Sequence, residues 1–414
     1  MLKPILILAL PIVLAAACTG KQGRGDSPTA ADGSGVVTID IDRAKEEKAL
    51  LYSSVLEKPD VIVLETKPEC IIQNIFSVEL YEDRIYILDD EVKALYVFHR
   101  DGTFLDRVGH RGHGHGEYRD LSDFSIDREK GIIYLWDNAM DAALKYDLHT
   151  HDYLSSIKTQ HDGYLSLCLQ QAGDKLYVNR TAMDLTDPDN YLLREIDVQT
   201  GVQTDSCLKA ADYNKGWNRN FGFQFVFFYA KNTRSPKFIE MFSDTVVAVT
   251  PDGLRPAYAI KSKDFVTDEV IADVRKDCGP NPDGLVDLSR LREGGWIHFV
   301  SRWVEWDGMV SFQYHKGDER HYALHDLRTR ETRVSTAFSD DYLCEDNNLP
   351  LDMCYADEGG VLSVLHAYAI PYFLEHIVAK GRLKPDVDER EKLMRLTDGA
   401  NPVLFYHACP KRPS

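Results

Sequence analysis

The sequence predicts an all-β fold, a six-bladed β-propeller with short helical insertions and a ring closed by an N-terminal strand. Three observations carry this. First, one pattern is written twice in succession: DRIYILDDEVKALYVFHRDGTFLDRVG at 83–109 and KGIIYLWDNAMDAALKYDLHTHDYLSSIK at 130–158. Each copy has a β-rich run ending in Asp, a polar break, a second β-rich run ending in Asp, a turn and a third run. Second, the pattern returns in more worn form at 173–208, 224–261, 296–335 and 359–410. A period of roughly 40 to 60 residues with four short strands each is that of propeller blades. Third, the strand VIVLE at 61–65 belongs to no blade, while the last blade lacks an outermost strand. Pairing the two removes an open sheet edge.

The composition suits this. Hydrophobic residues make up 44% of the 414, enough for a large core, and 21 tyrosines fit half-buried strands. Acidic residues outnumber basic ones by 66 to 48, a net charge of −18. No run of Lys and Arg offsets this, which argues against a nucleic-acid partner.

In chain order, residues 1–17 read MLKPILILALPIVLAAA. One Lys followed by about 13 apolar residues is the length of a signal-peptide core and too short to span a bilayer. Small residues precede Cys18 in a pattern that resembles the bacterial lipobox, which implies lipid attachment at Cys18. Ala15 and Ala17 also satisfy ordinary signal cleavage, and Ala15 stands where lipoboxes usually carry Leu. The Gly-, Ser- and Pro-containing stretch that follows favours lipidation, because residues 18–38 read as a flexible tether. The propeller is expected over 39–414. It begins with VVTIDID, a helical-looking stretch at 44–56, and VIVLE.

Two interruptions of the blade pattern read as helices. Thr267 is placed to cap one, with Asp268 and Glu269 in its first turn. The other spans 371–399, with Gly399 as its expected stop. Seven cysteines remain after Cys18, without CxxC or metal-ligand spacing. Cys344 and Cys354 form the one near pair, for which a disulfide and two buried thiols are both open.

Over 108–147, Gly112, Gly114, Gly116, Tyr118, Asp127, Gly131 and Asp137 form a pattern similar to the NHL repeat. Together with LET at 64–66 and the terminal NPVL, it resembles the six-bladed β-propeller lipoproteins common in Bacteroidales. His115 stands where that family usually has Pro. The resemblance implies a propeller in the cell envelope and no particular reaction. Thr19 after the cysteine resembles lipoproteins sent to the outer membrane. Lys21 and Arg24, instead of acidic residues, favour a periplasm-facing protein over a surface-exposed one.

Candidate chemistry is sparse. His110, His113, His115 and Glu117 crowd the connector GHRGHGHGEY, residue types that can hold zinc, copper or nickel. The alternating glycines favour the other reading, a blade-to-blade crossover in which Tyr118 packs between blades and Glu117 accepts backbone N–H bonds. Asp89, Asp90, Asp137 and Asp147 end strands, where they could bind a ligand or Ca²⁺ at a channel mouth; turn capping is the favoured role. His315, His321 and His325 with Asp326 form a further cluster. His321 and His325 share a strand face but lie too far apart for one metal. Aromatics are dense at Trp217, Phe221, Phe223, Phe225, Phe227, Phe228 and Tyr229; the alternating Phe221, Phe223, Phe225 and Phe227 share a face and are expected to pack between blades, a role favoured over carbohydrate or peptide recognition on the propeller top. There is no G-x-S-x-G elbow, P-loop or dinucleotide fingerprint.

The expected protein is thus a lipid-anchored envelope binding module, held to the membrane through Cys18 and presenting a propeller face to a glycan, peptide or protein partner. No cofactor is required, and a non-enzymatic role is favoured. The candidate ligand residues are His110, His113, His115, Glu117, Asp90 and Asp137, with His113, His115 and Glu117 the metal candidates. The alternative is a metal-dependent lactonase- or hydrolase-like enzyme of the six-bladed type.

Overall fold

The structure, a computed structural model, describes residues 35–160, 165–180, 190–216, 228–231, 235–277, 289–344, 349 and 351–411. The leader, Cys18, most of the tether, Cys278 and the aromatic run from Trp217 to Phe227 lie outside the described residues. Six sheets are arranged as a six-bladed propeller. Blade one is Ile75–Tyr81, Arg84–Asp89, Ala94–His99 and Phe104–Val108, and blade two is Leu121–Asp127, Ile132–Asp137, Ala142–Asp147 and Tyr153–Lys158. Within each blade the strands pair antiparallel, in chain order except in blade six, whose outermost strand comes from the N-terminal part. First strands of neighbouring blades touch one another, so they line the axis.

Burial explains the strand composition. The middle strands are covered on both faces, and Ile85, Tyr86, Ile87 and Leu88 are all buried. The middle strands of blade one therefore read as nearly unbroken apolar runs, whereas the outermost strand of blade two is mostly exposed. Apolar clusters fill the seams between blades. Tyr86, Leu95, Tyr118, Phe124 and Leu144 join blades one and two. Val78, Ile85, Tyr355, Leu362 and Leu404 join blades six and one. Each such side chain contributes about 1.5–3 kcal/mol by leaving water.

The aspartates that end strands hold the blades together. Asp89, at the end of the second strand of blade one, accepts N–H bonds from Gln73, Glu91 and Val92. Asp137 does the same in blade two for Arg119, Asp120, Ala139 and Met140. In blade three Asn179 takes Leu167 and Cys168. In blades one and two, one side chain thus grips both the following turn and the linker that brings the chain into that blade, and Asn179 grips the linker of blade three. Asp147 caps the turn after the third strand through His149 and Thr150.

The N-terminal part runs along the outside of blades four to six. Val37–Asp40 pairs parallel with Gly253–Lys261 of blade four, and Lys45–Glu46 with Thr332–Ser335 of blade five. Leu50–Leu51 pairs with Phe338–Ser339, and Asp60–Val63 pairs antiparallel with Val403–Ala408 as the outermost strand of blade six. The expected helix at 44–56 is therefore corrected: this stretch is two short strands and a single 3₁₀ turn at Tyr52–Ser54. Its helix-forming residues are overridden by open sheet edges and by a pocket that buries Leu50, Tyr52 and Leu56.

Both insertions contain helices. Asp268–Asp277 starts where expected, with Thr267 Oγ1 accepting the Val270 N–H at 3.4 Å. In blade six, Ile370–Phe373 continues into a π-helical turn at Leu374–Val378, and Arg390–Met394 follows. The last helix ends at Met394, not at Gly399 as the sequence implied; Leu393 is buried there and the chain turns away. No disulfide joins Cys344 to Cys354. Among the described residues no helix is long and apolar enough to cross a membrane.

Candidate functional site

The linkers between blades cross one face of the ring, and the histidine connector is one of them. The Gly112 N–H donates to the Tyr118 carbonyl and the Tyr118 N–H to the His110 carbonyl, closing a tight loop. The Glu117 carboxylate folds back and accepts the Gly114 N–H at 2.7 Å. A side chain at Gly112 would displace that carboxylate from its place in the loop. Tyr118 is buried in the seam between blades one and two, its hydroxyl accepting from Arg107 at 3.1 Å. His110, His113 and His115 are exposed, and His115 meets the Tyr153 ring edge-on at 4.9 Å. Among the described residues no three His, Cys, Asp or Glu side chains form a group able to hold a metal. Asp90 accepts the Asn74 side-chain N–H at 2.6 Å. Asp137 is wholly buried; burial pushes its carboxyl up although four backbone N–H groups pull it down.

The side chains with the most unspent chemistry lie on and around the axis. Glu79, from the first strand of blade one, is 1% exposed and has no hydrogen-bond partner on either oxygen. Arg128 approaches it at 3.6 Å. Burial raises the Glu79 carboxyl to about 7, because the attraction of Arg128 and Lys231 only partly offsets lost hydration. Lys231 reaches across the axis from blade four, donating to Asp123 at 2.6 Å and to the Phe124 and Leu169 carbonyls. Asp123 is fully buried and also accepts the Leu169 N–H at 2.8 Å. Ser77 Oγ and Gln170 Oε1, on the first strands of blades one and three, are buried without partners. The axis is thus polar, with Lys231 as its strut.

Lys231 also separates two spaces. On the linker side is a cavity of about 60 Å³ bounded by Phe76, Ser77, Trp303, Cys354 and His366. On the side of the first-to-second-strand turns is a cleft of about 270 Å³ that Asp127, Arg128, Gln170 and Gln171 line.

Above the small cavity, side chains from blades five and six converge. Arg302 sits in a bulge of Ile297–Trp306 where the register shifts between Ser301 and Val304. Its φ of 53° is left-handed, a conformation costing a non-glycine residue roughly 1–2 kcal/mol. Arg302 Nη2 lies 3.8 Å and His366 Nε2 3.6 Å from Asp352 Oδ2. Burial pushes the Asp352 carboxyl up, but His366, Arg302 and Arg320 together outweigh it and hold it below the usual range. Arg320 stands over the Tyr322 ring at 5.5 Å and makes no ion pair among the described residues. Tyr368 is 74% exposed and stacks on His366 with ring centres 5.2 Å apart. One helical turn further, Tyr372 is half exposed and stacks on His376 at 4.4 Å.

The sequence reading missed this rim and the axial residues. No motif marks the rim, because 302, 320, 352 and 366–372 come from four separate elements. The axial residues did leave a signal. Ser77 and Glu79, and Asp123, Ser125 and Asp127, are polar residues at a spacing of two in the first strands, as expected of strands with one side toward a polar axis.

Residues 36–408 match a family described as a domain of unknown function, DUF4934. The chain belongs to this family. Among solved structures it is similar to a protein described as exported from Bacteroides fragilis, with TM-score 0.68 and 19% identity, covering 91% of this chain and 100% of that one. A DUF4221 member from Bacteroides vulgatus gives TM-score 0.47 and 10% identity over 86% of this chain and 96% of that one. No curated protein matches. The likeness to the B. fragilis protein shows the fold of this DUF4934 chain and leaves its ligand to be argued from its own residues.

Proposed function

We propose that this DUF4934 chain is a lipid-anchored binding module of the cell envelope, tethered through Cys18 and facing the periplasm. Its ligand, a glycan, peptide or partner protein, docks on the rim formed by blades five and six. The observation that carries the reading is Tyr368, a large aromatic ring stacked on His366 yet 74% exposed beside Arg302 and Arg320. An exposed, preorganised aromatic next to charged donors has the composition of a binding surface. Signal-like residues 1–17 and the small residues before Cys18 support the anchor. The description of the B. fragilis relative as exported is consistent with an envelope address.

Two measurements test this. Metabolic labelling with a fatty-acid analogue should mark the wild-type chain in the membrane fraction and leave Cys18→Ala unlabelled. Cross-linking in intact cells from a photoreactive residue at position 368 should capture envelope material, while the same residue at exposed Leu154 on blade two should not. Equal capture from both positions, or none from 368, would remove the rim from the proposal.

A further inference from the structure

We infer that the blade five–six rim is a subsite for a short acidic saccharide, a uronic acid or a sulfated sugar. The inference rests on reading the rim as the ligand site and adds the ligand's chemistry. Charge is the first argument. The chain as a whole carries −18, yet Arg302 and Arg320 here face a single carboxylate, Asp352. Asp352 is 3.8 Å from Arg302, while Arg320 is left without an acidic partner among the described residues. A guanidinium presents planar paired donors that match a carboxylate or sulfate.

Shape is the second argument, and it favours a saccharide over a peptide. The cavity under the rim is about 60 Å³, room for roughly two waters and too little for a side-chain anchor. The ligand must therefore lie across the surface. Tyr368 and Tyr372 are four residues apart on consecutive helical turns, which places them on one side of the insertion. Their rings, backed by His366 and His376, offer flat apolar faces of the kind on which a pyranose ring stacks. Asp352 and His366, 3.6 Å apart, supply an acceptor and a donor for ring hydroxyls.

The test is calorimetric titration of the full mature chain with tetragalacturonate, a chondroitin-sulfate tetrasaccharide, neutral maltotetraose, and a tetrapeptide with a free C-terminal carboxylate. At least one acidic tetrasaccharide should bind, with maltotetraose and the peptide weaker by about tenfold or more. Arg320→Gln and Tyr368→Ala, both at exposed positions, should each lose about tenfold with unchanged melting temperature, and Tyr368→Phe should retain binding. Arg302→Gln should lose as much, with its melting temperature checked because of the strained backbone. Equal binding of neutral and acidic sugars, preferential binding of the peptide, absence of saccharide binding, or wild-type affinity in Arg320→Gln and Tyr368→Ala would each overturn the inference. If cross-linking from position 368 persists through such a result, the saccharide chemistry alone falls; if it is lost as well, the rim reading falls with it.

Discussion

Replacing Glu79 by Gln should stabilise the protein in a pH-dependent way. The carboxyl is 1% exposed, has no hydrogen-bond donor, and is raised from 4.5 to about 7 by burial. An acid whose folded value lies above its unfolded value binds more protons when folded, so stability falls as pH rises between the two. Below 4.5 the group is neutral in both states and costs nothing. Above 7 it is ionised in both, and the full penalty applies. A shift of this size is worth about 3 kcal/mol at the plateau, and about 1 kcal/mol of it is already present at pH 5. Gln keeps the shape and removes the titration. Urea midpoints of wild type and Glu79→Gln, followed by tryptophan fluorescence, should therefore differ by about 1 kcal/mol at pH 5 and about 3 kcal/mol at pH 8 in favour of the variant. A difference that is flat with pH would refute the burial argument. A variant less stable than wild type at pH 8 would mean that Arg128 and Lys231 hold Glu79 as a stabilised carboxylate.

Three further outcomes follow from other contacts. Lys231→Met leaves Asp123 charged, buried and without its 2.6 Å partner, and should cost about 3–5 kcal/mol in the same assay, with Asp123→Asn in the double variant recovering part of it. Gly102→Ala would drive a methyl into the Val63 carbonyl at a φ of 88°, where blade one's last turn meets the N-terminal strand of blade six; a loss above about 1 kcal/mol is expected in thermal melts. Ile39→Ala empties a fully buried site between the N-terminal strand and blade four and should cost about 2–5 kcal/mol of unfolding free energy in urea.

Blades one and two were legible because their middle strands are buried on both faces and stop at aspartates with a repeated task. The sequence shows runs such as IYIL and LYVF ending in Asp89 and His99; the structure shows that Asp89, Asp137 and Asn179 recur because each grips its own linker. What could not be read is which way a polar residue points. Asp137 and Glu79 are both buried acids, but Asp137 is consumed by backbone N–H groups and Glu79 is not. The stretch 44–56 misled because helix propensity is local, whereas the edge of blade five and the strand Phe338–Ser339 that captured it are more than 200 residues away in sequence. The rim was illegible for the same reason: its parts meet only when blades five and six are side by side.

That meeting place is also braced by two apolar clusters. The insertion of blade six packs Ile370, Phe373, Ile377 and Leu393 onto Val61, Val403 and Phe405. Tyr52, Leu56 and Phe338 fill the outer seam between blades five and six beside Trp306 and Met353. These clusters fix the backbone of the insertion and of the seam from which the rim side chains project, so a ligand there would not have to order the segments that carry them. The exposed histidines of the connector between blades one and two have no comparable support beyond the loop's own hydrogen bonds and one ring contact to Tyr153. The net charge adds a second selection. A long polyanion must approach a chain of −18 and is repelled wherever it extends beyond the rim, over a screening length of about 8 Å at physiological salt. A short acidic unit confined to the rim would face Arg302 and Arg320 against the single carboxylate of Asp352, so the net charge opposes a long polyanion more than a small anionic ligand there.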